Sequence, residues 1–310
     1  MALPPYIELP GSSTYRYPFP LRDCVSQAFV LPASRERLQS VTDRWLNAIP
    51  GSEWRFEVLM PYVICNPFWI AEVGWQPAGQ GFMRETDFNF GFFVSCFRGK
   101  EFDHVAYAPA YLIVDNPLTV STGREIWGWR KVFGEMEYVA GTYEPRAART
   151  LVSKSYGPRQ DMELAEVARI VKPPAWGANS SQASWEDLVE TLTMALGDAL
   201  LGVGMAIEQL LLHLKSQNLN VIQLMQTRSA EDPGVAAYQA LIEAPMQITA
   251  MRYAWLLPEG FQVQLTDYPS YPLISDLGIT VDKNNVATSI LSYQVNFDAN
   301  LTAGKVLVKA

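Results

Sequence analysis

At 310 residues the chain can bury one large core or two modest ones, and 49% apolar against 18% charged residues excludes an intrinsically disordered chain. A net charge of −8, with no run of lysine and arginine, excludes a nucleic-acid partner, because phosphate binding needs a basic face. Only two histidines, His104 and His213, leave little material for a histidine-rich metal site or for Ser–His–Asp catalysis, and no metal is expected.

The first twenty residues, MALPPYIELPGSSTYRYPFP, read as a proline-rich extended arm that other surfaces must order. They lack the basic and apolar regions of a secretory signal. Cys24, Cys65 and Cys96 are widely spaced and cannot all pair within one chain, so reduced thiols and a cytoplasmic location are expected. SRERLQSVTDRWLNAI, Ser34 to Ile49, places Leu38, Val41, Trp45 and Leu46 on one stripe and predicts a helix. WRFEVLM then alternates, with Trp54, Phe56 and Val58 on one face and Arg55 and Glu57 on the other.

DFNFGFFVSCF and AYAPAYLIVD continue as strands, as does FQVQLTDYP near the end, and the proline and glycine punctuation between them predicts a largely antiparallel sheet or closed barrel. The expected class is therefore α+β and rich in β-structure. A Pro/Gly/Ser-rich connector, KPPAWGANSSQAS, leads to a long predicted helix, Ser184 to Lys215, that opens with a capping-box pattern of Ser184 and Asp187. From Met194 to Leu214 that helix is apolar on nearly every side, but Asp198, Glu208 and three glycines count against a membrane span. A helix buried in the core or against another subunit is expected instead, and with it a homo-oligomer.

Chemistry is concentrated in GREIWGWRKVFGEM, Gly123 to Met136, where Lys131 lies among Trp127, Trp129, Val132 and Phe133. Such a lysine can be an ordinary residue packing its stem and keeping its ammonium wet. Alternatively it is an amine kept dry, neutral near pH 7 because burial disfavours the charged form, and able to attack a ketone to give an imine. Elsewhere there is no phosphate-cradling glycine loop, no HExxH and no CxxC, and GVGMAIEQ touches a dinucleotide fingerprint only at Gly202 and Gly204, inside a helix. No cofactor is expected.

VDNPLTVSTGREIWGWRKVFGEM resembles the active-site segment of the acetoacetate decarboxylase-like superfamily: an Asp-Asn turn at Asp115-Asn116, then Gly123-Arg124-Glu125, then Lys131 at the position of the Schiff-base lysine. The segments around Phe19–Val41, Trp54–Val63 and Val221–Pro269 are similar to the family in the same order. The resemblance implies one family domain over residues 1–310, with 163–218 as an added helical insertion. It places Arg22 as a substrate-binding arginine and Glu57 as the first active-site glutamate. Glu85 is the second, with Glu72 its competitor. Trp129 is implied as a substrate-binding wall, and Arg124 and Glu125 as a structural, orienting pair. The classical members carry two consecutive lysines, whereas here the run is Arg130-Lys131-Val132, so Val132 is expected to dry the site where a second cation is absent. The implied activity is that of a lyase acting on a small to medium oxo acid by decarboxylation or related imine chemistry. Aldolase-dehydratase or cyclase chemistry, or a non-catalytic binding module on the same fold, are the alternatives.

Overall fold

The computed structural model describes residues 5–7, 17–74, 81–157, 160–171, 181–196, 218–257 and 260–310. Fifteen strands carry the architecture: β1 (Phe19–Pro32), β2 (Trp54–Val58), β3 (Tyr62–Gly74), β4 (Phe82–Arg98), β5 (Glu101–Val114), β6 (Lys131–Tyr138), β7 (Pro145–Val152), β8 (Glu163–Val171), β9 (Ser181–Ala183), β10 (Asn218–Arg228), β11 (Ala236–Leu256), β12 (Gln262–Leu265), β13 (Val286–Thr288), β14 (Leu291–Leu301) and β15 (Lys305–Lys309). Among the described residues four short helices accompany them: α1 (Arg35–Trp45), α2 (Pro117–Thr122), α3 (Trp185–Leu196) and α4 (Leu273–Leu277).

Seven strands close on themselves in the order β1-β3-β4-β5-β10-β11-β14 and back to β1, so the barrel expectation becomes a ring. It is a mixed ring. β5 pairs with β4 along one edge, and its other edge is shared by two parallel neighbours, β10 at Tyr107 and β6 at Leu112–Val114; the remaining pairings are antiparallel, as expected. From β6 a second sheet continues through β7, β8, β12 and β13.

Alternation on the ring strands sorts side chains between two environments. Phe88 and Phe90 on β4 point outward and are fully buried, in a core shared with Leu38 of α1, Val167 of β8 and Val263 of β12. Glu85, Asp87 and Asn89, at the intervening positions, point into the ring. The largest core therefore lies between the ring and the second sheet, and a smaller one, with Leu21, Ile70 and Phe297, lines the ring itself.

α1 begins as its sequence predicts. Ser34 is the N-cap, its hydroxyl accepting from the Arg37 amide at 3.3 Å, and Leu38, Val41 and Trp45 are buried. The helix also reaches the outer edge of β2. Gln39 accepts from the Val58 amide at 2.8 Å, while Asn47, just past the helix end, accepts from the Phe56 amide at 2.9 Å and donates to its carbonyl at 3.0 Å.

The expected insertion, 163–218, divides differently. Its first nine residues are β8, a strand of the second sheet paired with both β7 and β12, because Val167, Ala168 and Ile170 are buried while Arg169 turns out to meet Glu137 and Glu166. The capping box forms as expected: Asp187 N–H donates to the Ser184 hydroxyl and Ser184 N–H to the Asp187 carboxylate, each at 3.0 Å. Leu188 and Val189 of α3 are buried, Leu188 among the residues that line the ring. The rest of the expected helix, 197–215, lies outside the described residues. Among the described residues no helix is long and apolar enough to cross a membrane.

Candidate active site

The connection from β5 to its parallel neighbour β6 builds one wall of the site. Asp115, just past the end of β5, accepts from the Thr86 amide at 2.8 Å through one carboxylate oxygen and from the Tyr138 hydroxyl at 2.7 Å through the other. Asn116 caps α2 by accepting from the Leu118 amide at 3.0 Å and donates to the Arg84 carbonyl at 2.8 Å. The Asp-Asn turn is thus tied to β4 immediately before and after Glu85, which fixes that residue's height against the connection.

α2 runs on into a π-helical turn, Gly123–Trp127, which Gly128 ends in the left-handed conformation at φ +72°. A side chain at Gly128 would also strike Met225 of β10, 2.4 Å from its Cα. Lys131 follows as the first residue of β6, opposite Leu112 of β5. Its stem runs over Gly123, where an added Cβ would lie 2.9 Å from the Lys131 Cδ and 3.2 Å from its Cε. The glycine of the Gly-Arg-Glu triplet is therefore the space that the lysine occupies.

Every strand of the ring contributes to a cavity of about 210 Å³, and Lys131 projects into it. The side chain is 3% exposed, and its Nζ donates to Glu85 Oε1 and lies 3.9 Å from Asp87 Oδ2. The Trp129 ring stands 5.1 Å from Nζ and stacks on Trp127, with centroids 4.9 Å apart. Burial alone lowers the lysine pKa, but Asp87 and Glu85 outweigh it and hold the ammonium above its usual value of 10.5. This corrects the expectation of an amine neutral near pH 7. Burial, together with the Glu85 charge, pushes the Asp87 carboxyl well above the usual carboxylate range.

The structure brings together Lys131, Glu85 and Trp129, and sets the other candidates apart. Of the two competing glutamates, Glu85 lines the cavity and Glu72 does not, its backbone pairing in register with Arg22. Arg22 turns outward, its Nη1 donating to the carbonyls of Leu21 and Ala299 at 3.1 Å each. Glu57 is 50% exposed on β2, paired with Arg55. Arg124 and Glu125 are exposed on the π-helical turn, with no ion pair joining them among the described residues. Val132 does not wrap the amine. It lies on the reverse face of β6 in a separate cleft with Arg124 and Arg130, and Arg130 stacks over Trp45 and Tyr111.

Asp87 is the residue that sequence reasoning missed. Its signal was present in ETDFNF, where Glu85, Asp87 and Asn89 alternate with Thr86, Phe88 and Phe90 and so share a face. Among the described residues, no group of three His, Cys, Asp or Glu side chains is placed to hold a metal ion.

No family model matches the chain, and no curated protein does. Solved structures do. An acetoacetate decarboxylase from Legionella pneumophila subsp. pneumophila str. Philadelphia 1 matches all of this chain over 93% of its own, with a TM-score of 0.62 at 15% identity. A second acetoacetate decarboxylase structure matches 97% of this chain over 93% of its own, with a TM-score of 0.63 at 16% identity. An acetoacetate decarboxylase-like enzyme from Sphingomonas wittichii RW1 matches over the full length of both chains, with a TM-score of 0.57 at 11% identity. The chain has the acetoacetate decarboxylase-like fold.

Proposed function

On that fold, we propose that the chain is a Schiff-base-forming lyase in which Lys131 supplies the amine and Glu85 handles its proton. The observation that carries this reading is a lysine, 3% exposed, that meets two buried carboxyl groups on the wall of an apolar cavity. A structural lysine has no need of such surroundings, because taking an ammonium and a carboxylate out of water costs several kcal/mol per ion unless their pairing returns it.

The chemistry follows from the contact. Transfer of a proton from the Lys131 ammonium to the Glu85 carboxylate gives a neutral amine beside a neutral acid, with no net charge created in the cavity. The amine adds to a substrate carbonyl. One amine proton passes to the oxygen, Glu85 returns the second, the oxygen leaves as water, and a protonated imine remains. That cation withdraws electrons from the neighbouring carbon, which can then lose carbon dioxide, a proton or an aldol fragment. Asp87, 3.9 Å from Nζ and with its carboxyl raised by burial, is the second acid within reach to protonate the resulting enamine carbon. The Trp129 face stabilises the iminium as it does the ammonium, by about 0.5–2 kcal/mol.

Borohydride reduction in the presence of a panel of carbonyl compounds, charged and neutral, tests the reading. A reduced adduct should map to Lys131 by peptide mass, disappear in Lys131→Met and persist in Glu57→Gln at the rate of the unaltered chain. No adduct with any compound, or adducts spread over exposed lysines only, would return Lys131 to a purely structural role.

A further inference from the structure

Resting on the imine reading of Lys131, we infer that the site takes a neutral, apolar carbonyl compound, a ketone or aldehyde of medium size, in preference to an oxo acid. Among the described residues lining the cavity, the ionisable acidic and basic side chains are Lys131, Glu85 and Asp87. The one cation is already matched by Glu85. Arg22, the residue that the family resemblance would offer a substrate carboxylate, spends its Nη1 on the carbonyls of Leu21 and Ala299 and does not line the cavity. Arg124 and Arg130 belong to the cleft on the reverse face of β6. A carboxylate carried into the cavity would leave water, meet no free cation among the described residues and face the Glu85 charge.

What the cavity does offer is apolar wall, from Leu21, Ile70, Val73, Met83, Ile248 and Phe297, and neutral polar groups. Two of these, the Thr122 hydroxyl and the Trp129 indole N–H, are buried without a hydrogen-bond partner among the described residues, and they suit a carbonyl or hydroxyl oxygen better than an anion. At the ~30 Å³ that one water occupies in the liquid, a cavity of about 210 Å³ accepts roughly seven such groups.

With a neutral ketone no carbon dioxide can leave, so the group lost from the carbon beside the imine is a proton. Glu85, a carboxylate again once water has departed, removes that proton and becomes the acid. The C–H electron pair moves into the enamine, and the reverse step returns a proton from Glu85. In heavy water the net result is exchange of the ketone's α-hydrogens for deuterium.

A shape-matched pair decides the matter. Acetoacetate and 4-methyl-2-pentanone present the same methyl ketone and the same branched end, one as carboxylate and the other as isopropyl. Borohydride trapping on the full chain should half-saturate at a concentration about 100-fold lower for the neutral ketone, an affinity ratio of roughly 2.7 kcal/mol. α-Deuterium exchange of that ketone should also depend on Lys131. In Met83→Arg, which places a cation at a half-buried position on the wall, acetoacetate should gain about tenfold. Equal or better trapping of acetoacetate by the unaltered chain, at Lys131, overturns the substrate class while leaving the imine reading intact. Trapping of neither compound overturns the imine reading itself. The measurement on the unaltered chain stands whether or not Met83→Arg folds.

Discussion

Gly123→Ala separates the position of the reactive amine from the stability of the fold. Gly123 has helical angles, φ −61° and ψ −37°, so alanine is compatible with the backbone and gains about 1 kcal/mol of helix propensity. Its new Cβ would lie 2.9 Å from the Lys131 Cδ, 3.2 Å from Cε and 3.5 Å from the Trp129 ring. Carbon atoms rest at about 3.5–4.0 Å, so the lysine stem must retreat by roughly 0.6–1 Å. Overpacking of this kind costs about 1–3 kcal/mol, which the propensity gain offsets in part. Net stability should fall by no more than about 2 kcal/mol, whereas an amine displaced by close to 1 Å can lose about 100-fold in rate. Urea unfolding and the borohydride-trapping rate on 4-methyl-2-pentanone read the two effects separately. A stable variant that traps at the original rate would show that the close approach of Gly123 and Lys131 has no bearing on the amine.

Two further substitutions probe the charge cluster. Lys131→Met should cost about 3–5 kcal/mol in urea unfolding at pH 7, because Glu85 is left buried without its cation, and adding Glu85→Gln should recover most of that loss; strictly additive costs would mean the two side chains are not coupled. Asp87→Asn should stabilise the chain more at pH 8 than at pH 4.5. A carboxyl raised in the folded state contributes stability that is complete below its ordinary value of 3.8 and is lost as pH rises toward the folded value, and asparagine removes that loss. An equal gain at both pH values would contradict the burial of a protonated Asp87.

The sequence made legible what is local. The stripe of α1, the Ser184–Asp187 box and the Asp-Asn turn are set by neighbours a few residues away, and each formed as read. Alternation in WRFEVLM also turned Glu57 to solvent, and it prevailed over the resemblance that placed Glu57 in the site. A likeness of strands fixes neither register nor face, and one residue of slip reverses both. Arg22 met the same difficulty beside the bulge that shifts β1 between Leu21 and Cys24. β8 was hidden because Glu166 and Arg169 interrupt its apolar pattern, and they do so for an ion cluster with Glu137 of β6, two strands away in the same sheet. The raised pKa of Lys131 was out of reach for a different reason. Its neighbours in sequence are apolar, but its neighbours in space are carboxyls delivered by β4, some 46 residues away.

The amides of Gln39 and Asn47 bear on how the molecule behaves in a crowded solution. Among the described residues β2 pairs only with β4, so its far side is a sheet margin, the kind of place where another chain could add a strand and begin an aggregate. Here the outward N–H groups of Phe56 and Val58 and the carbonyl of Phe56 already bond to those two side chains, and Arg35 takes the Val58 carbonyl at 2.6 Å. The paired charges of Arg55 and Glu57 stand on the exposed face of the same strand. A helix that supplies amide groups in place of a neighbouring strand leaves no template for fibril growth at that margin, and the carboxylate the family likeness assigned to catalysis stands there as a deterrent to misassembly.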